Sequence, residues 1–231
     1  MYTYYTYRQI YNLWRKIHMN TQNQQRETNN KVSLIGTLVS NYKFSHEVFG
    51  EGFYTVKLQT QRTSGAFDVL ELTLSERLAD ISIDPTGTKV RIDGQFRSFN
   101  KHEENVNHLV LQVFVSEIAE AEQDVEDIDT IELNGYICKA PSYRKTPLGR
   151  EIADVLIAVN RPYGKSDYIP CICWGRNARY AGSLDIGTHI NIRGRIQSRE
   201  YFKRKPDGER EETPRVAYEV SASYIQQIVE E

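Results

Sequence analysis

Residues 87–94 read GTKVRIDG, and a hundred positions later residues 187–194 read GTHINIRG. In both stretches branched apolar residues alternate with polar ones between two glycines, which is the period of a β-strand with one buried face. Another landmark repeats at nearly the same offset, because Gly36 matches Gly135. A duplicated unit of this length predicts two small domains of one fold in tandem.

Each copy is predicted to contain five strands separated by polar or glycine-bearing stretches. In the first copy the predicted strands are Val32–Val39, Phe53–Gln59, Val69–Leu74, Lys89–Phe99 and His108–Val115. In the second copy they are Thr130–Lys139, Ile152–Arg161, Tyr168–Trp174, His189–Tyr201 and Arg215–Ser223. A short helix is predicted between strands three and four of each copy, at Glu76–Asp80 and Asn177–Ala181. This order is that of an OB-fold, a partly open five-stranded barrel, so the fold class is all-β with two tandem OB-fold barrels.

Gly36 and Gly135 fall in the middle of the first predicted strand of their copies. Glycine weakens a strand unless a bulge or a sharp bend is needed there. A first strand that serves both halves of a barrel needs such a bend, so both glycines support the barrel prediction.

Composition divides the chain into four predicted segments. They are a disordered or extension segment at 1–30, a degenerate OB-fold at 31–118, a solvated acidic linker at 119–129 and a second OB-fold at 130–228. Met19 begins the polar part of the first segment, and we hypothesise that translation starts there. The alternative is an amphipathic helix that presents Ile10, Leu13, Trp14 and Ile17 on one side.

Charge differs between the two copies. Residues 31–128 carry nine Lys/Arg and sixteen Asp/Glu, whereas residues 129–231 carry sixteen Lys/Arg and fourteen Asp/Glu, in a chain of net charge −2. The second copy is therefore the expected partner of a polyanion. The first copy is expected to serve in packing or oligomerisation.

Several function classes are disfavoured by what the sequence lacks. Its three cysteines (Cys138, Cys171 and Cys173) are too few for a disulfide framework and lack metal-ligand spacing, so we expect buried thiols in a reducing cytoplasm. No stretch approaches the ~20 apolar residues of a membrane span. No glycine-rich phosphate loop and no Ser/His/Asp context is present, so we expect no enzyme, cofactor, metal or small-molecule substrate.

Strands three and four of the second copy carry the predicted binding face. Period two places Cys171 and Cys173 inside the barrel and the rings of Tyr168 and Trp174 outside it. On strand four the same alternation turns Arg193, Arg195, Arg199 and Tyr201 outward. We expect these two strands to be adjacent, which would set aromatic rings beside guanidinium groups.

Two basic loops flank this face in the prediction. One follows strand four and contains Lys203, Arg204 and Lys205, and the other joins strands one and two and contains Arg144 and Lys145. OB-folds close on oligonucleotides with these connections. Aromatic platforms in a cationic groove suit single-stranded nucleic acid, because rings stack on bases and cations neutralise phosphates. The alternative is that Tyr168 and Trp174 pack against the other copy or another subunit.

The second copy resembles a bacterial single-stranded DNA-binding protein over about residues 129–226. The resemblance rests on the Asn134-Gly135 pair, the loop 141–149, the stretch Ile157-Ala158-Val159-Asn160-Arg161, the segment Tyr168 to Ala178 and the strand Ile192 to Tyr201. It implies that Tyr168, Trp174 and Tyr201 stack on bases and that Arg195 and Arg199 bind the DNA backbone. Arg161, in the same set of motifs, joins the predicted nucleic-acid-binding residues.

The resemblance implies a sequence-tolerant protein that protects single-stranded DNA in replication, recombination or repair, in the cytoplasm at the nucleoid. Most relatives carry one OB domain per chain and form tetramers, so two per chain imply a homodimer with four OB domains. The chain departs from the family at Ile225–Glu231, where a glycine-rich linker and an acidic tip are typical. Two alternatives stay open: a protein-interaction scaffold of a replication, primosome or conjugation complex, and an RNA-binding OB protein.

Overall fold

The computed structural model describes residues 29–103, 106–202 and 215–229, except for the side chains of residues 101–103, 106–108 and 163. The predictions for the N-terminal segment, including Met19, fall outside these ranges. Those for Lys203, Arg204 and Lys205 also fall outside them.

Strands dominate the described residues. They are β1 (Asn30–Leu38), β2 (Lys43–Val48), β3 (Glu51–Gln61), β4 (Phe67–Ser75), β5 (Lys89–Glu103), β6 (Val106–Glu120), β7 (Ile128–Lys145), β8 (Glu151–Asn160), β9 (Ser166–Trp174), β10 (His189–Tyr201) and β11 (Arg215–Gln227). Each of the ten predicted strands is present. The additional strand β2 pairs with β3 and corresponds to the second half of the long strand β7.

Strand pairing closes two circuits of five strands. In the first copy the order is β1-β3-β4-β6-β5 and back to β1, and in the second it is β7-β8-β9-β11-β10 and back to β7. All pairs are antiparallel except β4–β6 and β9–β11, which are parallel. The third strand of each copy therefore neighbours the fifth, not the fourth. The apolar core fills both circuits, with residues such as Leu34, Leu72, Ile157 and Ile192 fully buried.

Gly36 and Gly135 mark the point where the first strand of each circuit changes partners. β1 leaves β5 and joins β3 near Thr37, and β7 leaves β10 and joins β8 at Tyr136. A Cβ at Gly135 would lie 2.4 Å from the carbonyl oxygen of Ala158, and one at Gly36 would lie 2.4 Å from that of Gln59. Close backbone approach therefore requires glycine at both positions.

The helix prediction is right for one copy and wrong for the other. In the second copy α1 spans Arg176–Ala181, and Ala178 and Ala181 are buried against the barrel. In the first copy Glu76–Asp80 forms turns. The carboxylate of Asp80 accepts hydrogen bonds from the backbone N–H and the hydroxyl of Ser82, and such an Asx turn competes with helical backbone bonding.

The acidic stretch predicted as a linker, 119–129, joins the two copies. β6 continues to Glu120 and β7 begins at Ile128, so residues 121–127 connect the two strands, and most of them are exposed. Asp127 accepts a hydrogen bond from the backbone N–H of Gln61 and pairs with Lys89 at 2.9 Å. This carboxylate therefore has partners on the first copy.

The two copies join through their first strands. β1 pairs antiparallel with β7, and at the centre Val32 lies opposite Ile131. Because these two residues occupy corresponding positions in the duplicated sequence, the contact is of the self-complementary kind found in twofold-symmetric dimers.

Two buried aspartates repeat this symmetry at the sides of the junction. Asp68 on β4 accepts the backbone N–H of Ser198 on β10 at 2.7 Å, and Asp167 on β9 accepts that of Ser98 on β5 at 2.7 Å. The serine hydroxyls in turn accept the backbone N–H groups of Val69 and Tyr168. Both carboxylates are essentially inaccessible, at 1% and 0% exposure, so each needs these donors.

The environments of the two aspartates differ in charge. Burial raises the pKa of Asp68, but hydrogen bonds from Arg62 and Ser198 and the charges of Arg62 and Arg195 hold it below its ordinary value. Burial also raises the pKa of Asp167, and there the opposing groups leave it above the ordinary value. The first aspartate is therefore the firmer anion of the junction.

Asn30 and Asp129 occupy corresponding positions in the two copies. The asparagine amide can both donate and accept a hydrogen bond, whereas the aspartate carboxylate can only accept. Asn30 accepts the backbone N–H of Phe96 and donates its amide to the Phe96 carbonyl at 2.6 Å. Asp129 accepts the backbone N–H of Ile196 at 2.9 Å, but its second oxygen is buried without a partner. Burial is the main cause that raises the pKa of Asp129 to about 7, with a further contribution from the charge of Asp68.

We predict that Asp129→Asn stabilises the protein above pH 7. Between about pH 4 and 7 the folded state holds a proton on Asp129 that the unfolded chain has lost, so stability falls as pH rises through this window. The amide removes the cost of a buried charge and supplies the missing donor. The expected gain is about 1–3 kcal/mol at pH 8, and it shrinks towards zero near pH 4, as measured by urea unfolding.

The matched control is Asn30→Asp, which introduces the same defect at the counterpart position. It should destabilise the protein at pH 8 and approach the wild type at low pH. A variant Asp129→Asn that is less stable than the wild type at pH 8 would contradict the assignment of a buried, partnerless oxygen.

Candidate nucleic-acid interface

The outer surface of β7, β8 and β9 forms a continuous face, here called the three-strand face. Directly opposed residues of neighbouring strands share a face of a sheet, so the register assigns its rows. The rows are Tyr136–Ala158–Tyr168, Lys139–Leu156–Pro170, Ser142–Asp154–Ile172 and Arg144–Ile152–Trp174. Apolar and aromatic residues therefore alternate with a few polar ones across three strands.

One end of the three-strand face carries a tyrosine on β7 and another on β9. Tyr168 is 48% exposed, and Tyr136 lies two strands away, about 10 Å from it by strand spacing. Tyr136 stacks on the imidazole of His189, with ring centroids 4.4 Å apart and planes 14° apart. Ala158 lies between the two tyrosines, and its small side chain leaves the rings of Tyr136 and Tyr168 exposed on either side of it.

The other end of the face carries Trp174. Its side chain is 39% exposed, and the indole N–H donates to the Ser221 hydroxyl at 3.2 Å. Trp174 also lines an open groove with a volume of about 570 Å³, together with Asn177, Gly194, Arg195, Asp129, Thr130 and residues 221–223. The ring is therefore held in orientation by Ser221 while its surface stays accessible.

The predicted inward and outward alternation of strand three is correct for most positions. Cys171 and Cys173 are buried inside the barrel, and burial raises the pKa of Cys173 to about 12. Both thiols are therefore protonated apolar fillers. Ile172, assigned to the outer face, is only 8% exposed between β8 and β11.

The prediction that strands three and four are adjacent is wrong. β11 lies between β9 and β10, because the third strand of an OB-fold pairs with the fifth. Beyond Gly194 β10 no longer pairs with β7, and beyond Ile196 it forms a two-stranded ribbon with β11. Arg199 and Tyr201 are exposed on this ribbon, separate from the row that holds Trp174.

Two of the predicted cations are held at the junction of the copies. Arg195 pairs with Asp68 at 3.1 Å and also donates to Gln197, and Arg161 lies 3.2 Å from Asp167. Their carboxylate partners are fully buried, so both guanidinium groups are anchored there. The sequence alone gave no sign of these partners, because Asp68 lies 127 positions from Arg195 and the burial of Asp167 beside Arg161 depends on how the two copies pack.

The other predicted cations are more open. Arg193 pairs with Glu132 at 3.0 Å, and its guanidinium carbon lies 5.6 Å from the ring of Tyr224. Arg144 pairs with Asp154, and Lys145 is exposed at the end of β7. These side chains border the three-strand face or the groove beside Trp174.

The structure adds residues that sequence reasoning missed. Tyr136 and His189 stack at one end of the face, and Asn177 anchors α1 beside Trp174 by donating to the Ser223 carbonyl at 2.9 Å. Tyr136 follows Asn134-Gly135, so its place on the first strand was available as a signal. His189 is its direct cross-strand partner, which only the register reveals.

The strand registers identify the counterpart of Trp174 in the first copy. They pair Phe53 with Ser75 and Ile152 with Trp174, so Ser75 is that counterpart. Leu74, the residue before it, is fully buried and corresponds to Cys173. Within the described residues no cluster of His, Cys, Asp and Glu has metal-binding geometry, and no helix is long and apolar enough to cross a bilayer.

Comparison with known proteins links this face to one family. Residues 128–226 match the Single-strand binding protein family. The chain is 33% identical over 81 residues to a single-stranded DNA-binding protein of Oceanobacillus iheyensis, covering 32% of this chain and 50% of that protein. Single-stranded DNA-binding protein A of Bacillus subtilis is also 33% identical over 81 residues, covering 32% and 47%. The chain spans about half the length of the curated relatives it matches.

Similarity to solved structures covers more of the chain. The wild-type single-stranded DNA binding protein from Thermus aquaticus superimposes with a TM-score of 0.70 at 19% sequence identity, covering 87% of this chain and 94% of that one. This likeness shows a shared all-β OB-fold.

Proposed function

We propose that this chain is a tandem OB-fold protein that binds single-stranded DNA with little sequence preference, and that the second copy makes the main contacts. The observation that carries the proposal is the pair of exposed rings on β9, Tyr168 and Trp174, in a domain that matches the Single-strand binding protein family. Its role would be to protect exposed strands at the nucleoid in replication, recombination or repair. No enzymatic step is part of this function.

Base stacking is the attractive term in this proposal. Tyr168 and Trp174 stand six residues apart on one strand, a span of about 20 Å, which several nucleotides of an extended strand can cover. Stacking on each ring tolerates every base, because every base has a flat π-face. Tyr136 adds a ring beside Tyr168, and Tyr201 adds a separate exposed ring on the ribbon of β10 and β11.

Phosphate neutralisation is the second term. We assign it to Arg144, Lys145, Arg193 and Arg199, together with Lys203, Arg204 and Lys205, which follow β10 in the sequence. Arg161 and Arg195, whose partners are buried aspartates, serve in this proposal to hold the two copies in register. In this proposal Arg161 and Arg195 contribute to DNA binding only through the positive electrostatic potential of their charges.

Removal of either ring on β9 should weaken DNA binding. Trp174→Ala and Tyr168→Ala are each expected to cost ~1–3 kcal/mol of affinity for oligo-dT, because each removes one stacking platform. The Tyr168 substitution leaves the backbone N–H that donates to Ser98 in place. Anisotropy of a labelled oligonucleotide at fixed salt measures the loss.

The matched control is Tyr180→Ala. Tyr180 has an exposure similar to that of Trp174 but lies on α1, outside the three-strand face. Its removal should leave affinity within a factor of two of the wild type, by the small-effect expectation for a ring that touches no base. Wild-type affinity in both β9 variants, with thermal unfolding unchanged, would favour the alternative that these rings dock a protein.

Salt should weaken binding in a measurable proportion. If four to six phosphates are neutralised, log K falls against log salt with a slope of about −0.7 per contact, or roughly −3 to −4 overall. A titration of oligo-dT at several NaCl concentrations gives this slope. An affinity that does not change with salt would contradict the assignment of the cations.

The proposal includes a homodimer that presents four OB domains. Each chain supplies two barrels, and the resemblance stated above implies an assembly of four. Light scattering coupled to gel filtration should therefore give twice the mass of the chain. A monomer across micromolar concentrations would refute the dimer and leave the DNA-binding proposal intact.

A further inference from the structure

A second aromatic row lies on the first copy, where charge had suggested only packing. The imidazole of His46 stacks on Phe53, with ring centroids 5.0 Å apart and planes 8° apart. Phe53 lies 5.9 Å from Phe114, and the guanidinium carbon of Arg97 lies 5.6 Å from the centre of the Phe114 ring. Three rings and one cation thus follow one another across the sheet.

The register places this row where the second copy has Trp174. Phe53 lies opposite Ser75 on β4, and Phe114 on β6 lies beside Thr73 on the parallel pair. The counterparts of Phe53, Ser75 and Phe114 are Ile152, Trp174 and Ser221. The second copy therefore has one ring flanked by an isoleucine and a serine, whereas the first has a serine flanked by two rings.

We propose that His46, Phe53 and Phe114 form a second base-stacking site for single-stranded nucleic acid, with Arg97 at its inner end. This inference rests on the function proposed for the second copy. The strand bound there would continue across the junction onto the first copy.

Continuity of the surface supports this path. Ser98 follows Arg97 on β5, and its hydroxyl accepts the backbone N–H of Tyr168 at 2.7 Å. The side chain of the residue that follows Arg97 is therefore in direct contact with the backbone of Tyr168. Arg97 also lies close enough to Asp167 and Arg161 at the junction for its pKa to respond to their charges, after the larger lowering effect of burial.

The charges around the row determine how it would bind. Glu51, two residues before Phe53 on β3, accepts the Ser75 hydroxyl and pairs with Arg77 at 3.1 Å. Arg97 is the cation that borders the rings, in a copy that is acidic overall. Stacking would therefore act here with little phosphate neutralisation. Such a site binds weakly alone but contributes when the second copy holds the strand at high effective concentration.

The test compares wild type with the double variant Phe53→Ala/Phe114→Ala on a series of oligo-dT lengths. Quenching of Trp174 fluorescence in a Trp14→Phe background reports binding. At short lengths the two proteins should bind equally. At lengths that reach both copies the double variant should bind about tenfold or more weakly and occlude fewer nucleotides per chain. Its salt slope should equal that of the wild type, because no phosphate contact is lost.

The control variant Phe53→Tyr/Phe114→Tyr keeps the rings and should retain wild-type affinity at every length. If the double variant does not fold, His46→Ala replaces it in the test, because His46 is exposed. This variant should bind oligo-dT more weakly than the wild type at long lengths only. Equal affinity of wild type, the double variant and His46→Ala for long oligo-dT would overturn the second site, and the proposed function would stand if Trp174→Ala still weakened binding. If the ring substitutions weakened binding in neither copy, both the second site and the proposed function would be overturned.

Discussion

Backbone pairing between β1 and β7 is the constraint on which the rest of the molecule depends. Each of these strands pairs within its own barrel and also pairs with its counterpart along six residues, so the copies cannot rotate freely. Asp68 and Asp167 then bridge the sides of the contact. An aspartate buried without its N–H donors would be costly, so these bonds favour a single arrangement of the two barrels. The outer faces of the copies consequently have a defined relation to each other.

The two copies share the barrel fold but differ at positions where substitution costs little stability. Interior positions keep small or branched apolar residues in both copies, because a closed barrel has no room for other choices. Polar groups at the junction exchange places instead: Arg195 and Gln197 on β10 correspond to Gln95 and Arg97 on β5, with the arginine and the glutamine interchanged. Aromatic residues on the outer face move in a similar way, from the central strand of the row to its neighbours. Packing thus conserves the barrel while the surface chemistry of each copy changes.

Particular elements show how far local patterns reach. Alternation on strand three correctly assigned Cys171 and Cys173 to the interior and Tyr168 to the surface, because period two is a local property of extended backbone. The helix at Glu76–Asp80 failed, since Asp80 bonds Ser82 and forms a turn that helical propensity does not reveal. At the end of the acidic linker, Asp127 and Asp129 accept hydrogen bonds from backbone N–H groups that are distant in sequence. Composition does not reveal such side-chain and long-range hydrogen bonds.

The sequence by itself determined the repeat, the strands, the glycines that bend the first strand of each barrel and the side of the sheet on which each ring lies. These features depend on the spacing of residues along the chain. Only the tertiary structure decided that β11 separates β9 from β10, that Arg161 and Arg195 are held by buried aspartates, and that Phe53 and Phe114 stand in the row of Trp174. These features depend on which strands pair and in which register, and the spacing of residues along the chain does not reveal that pairing.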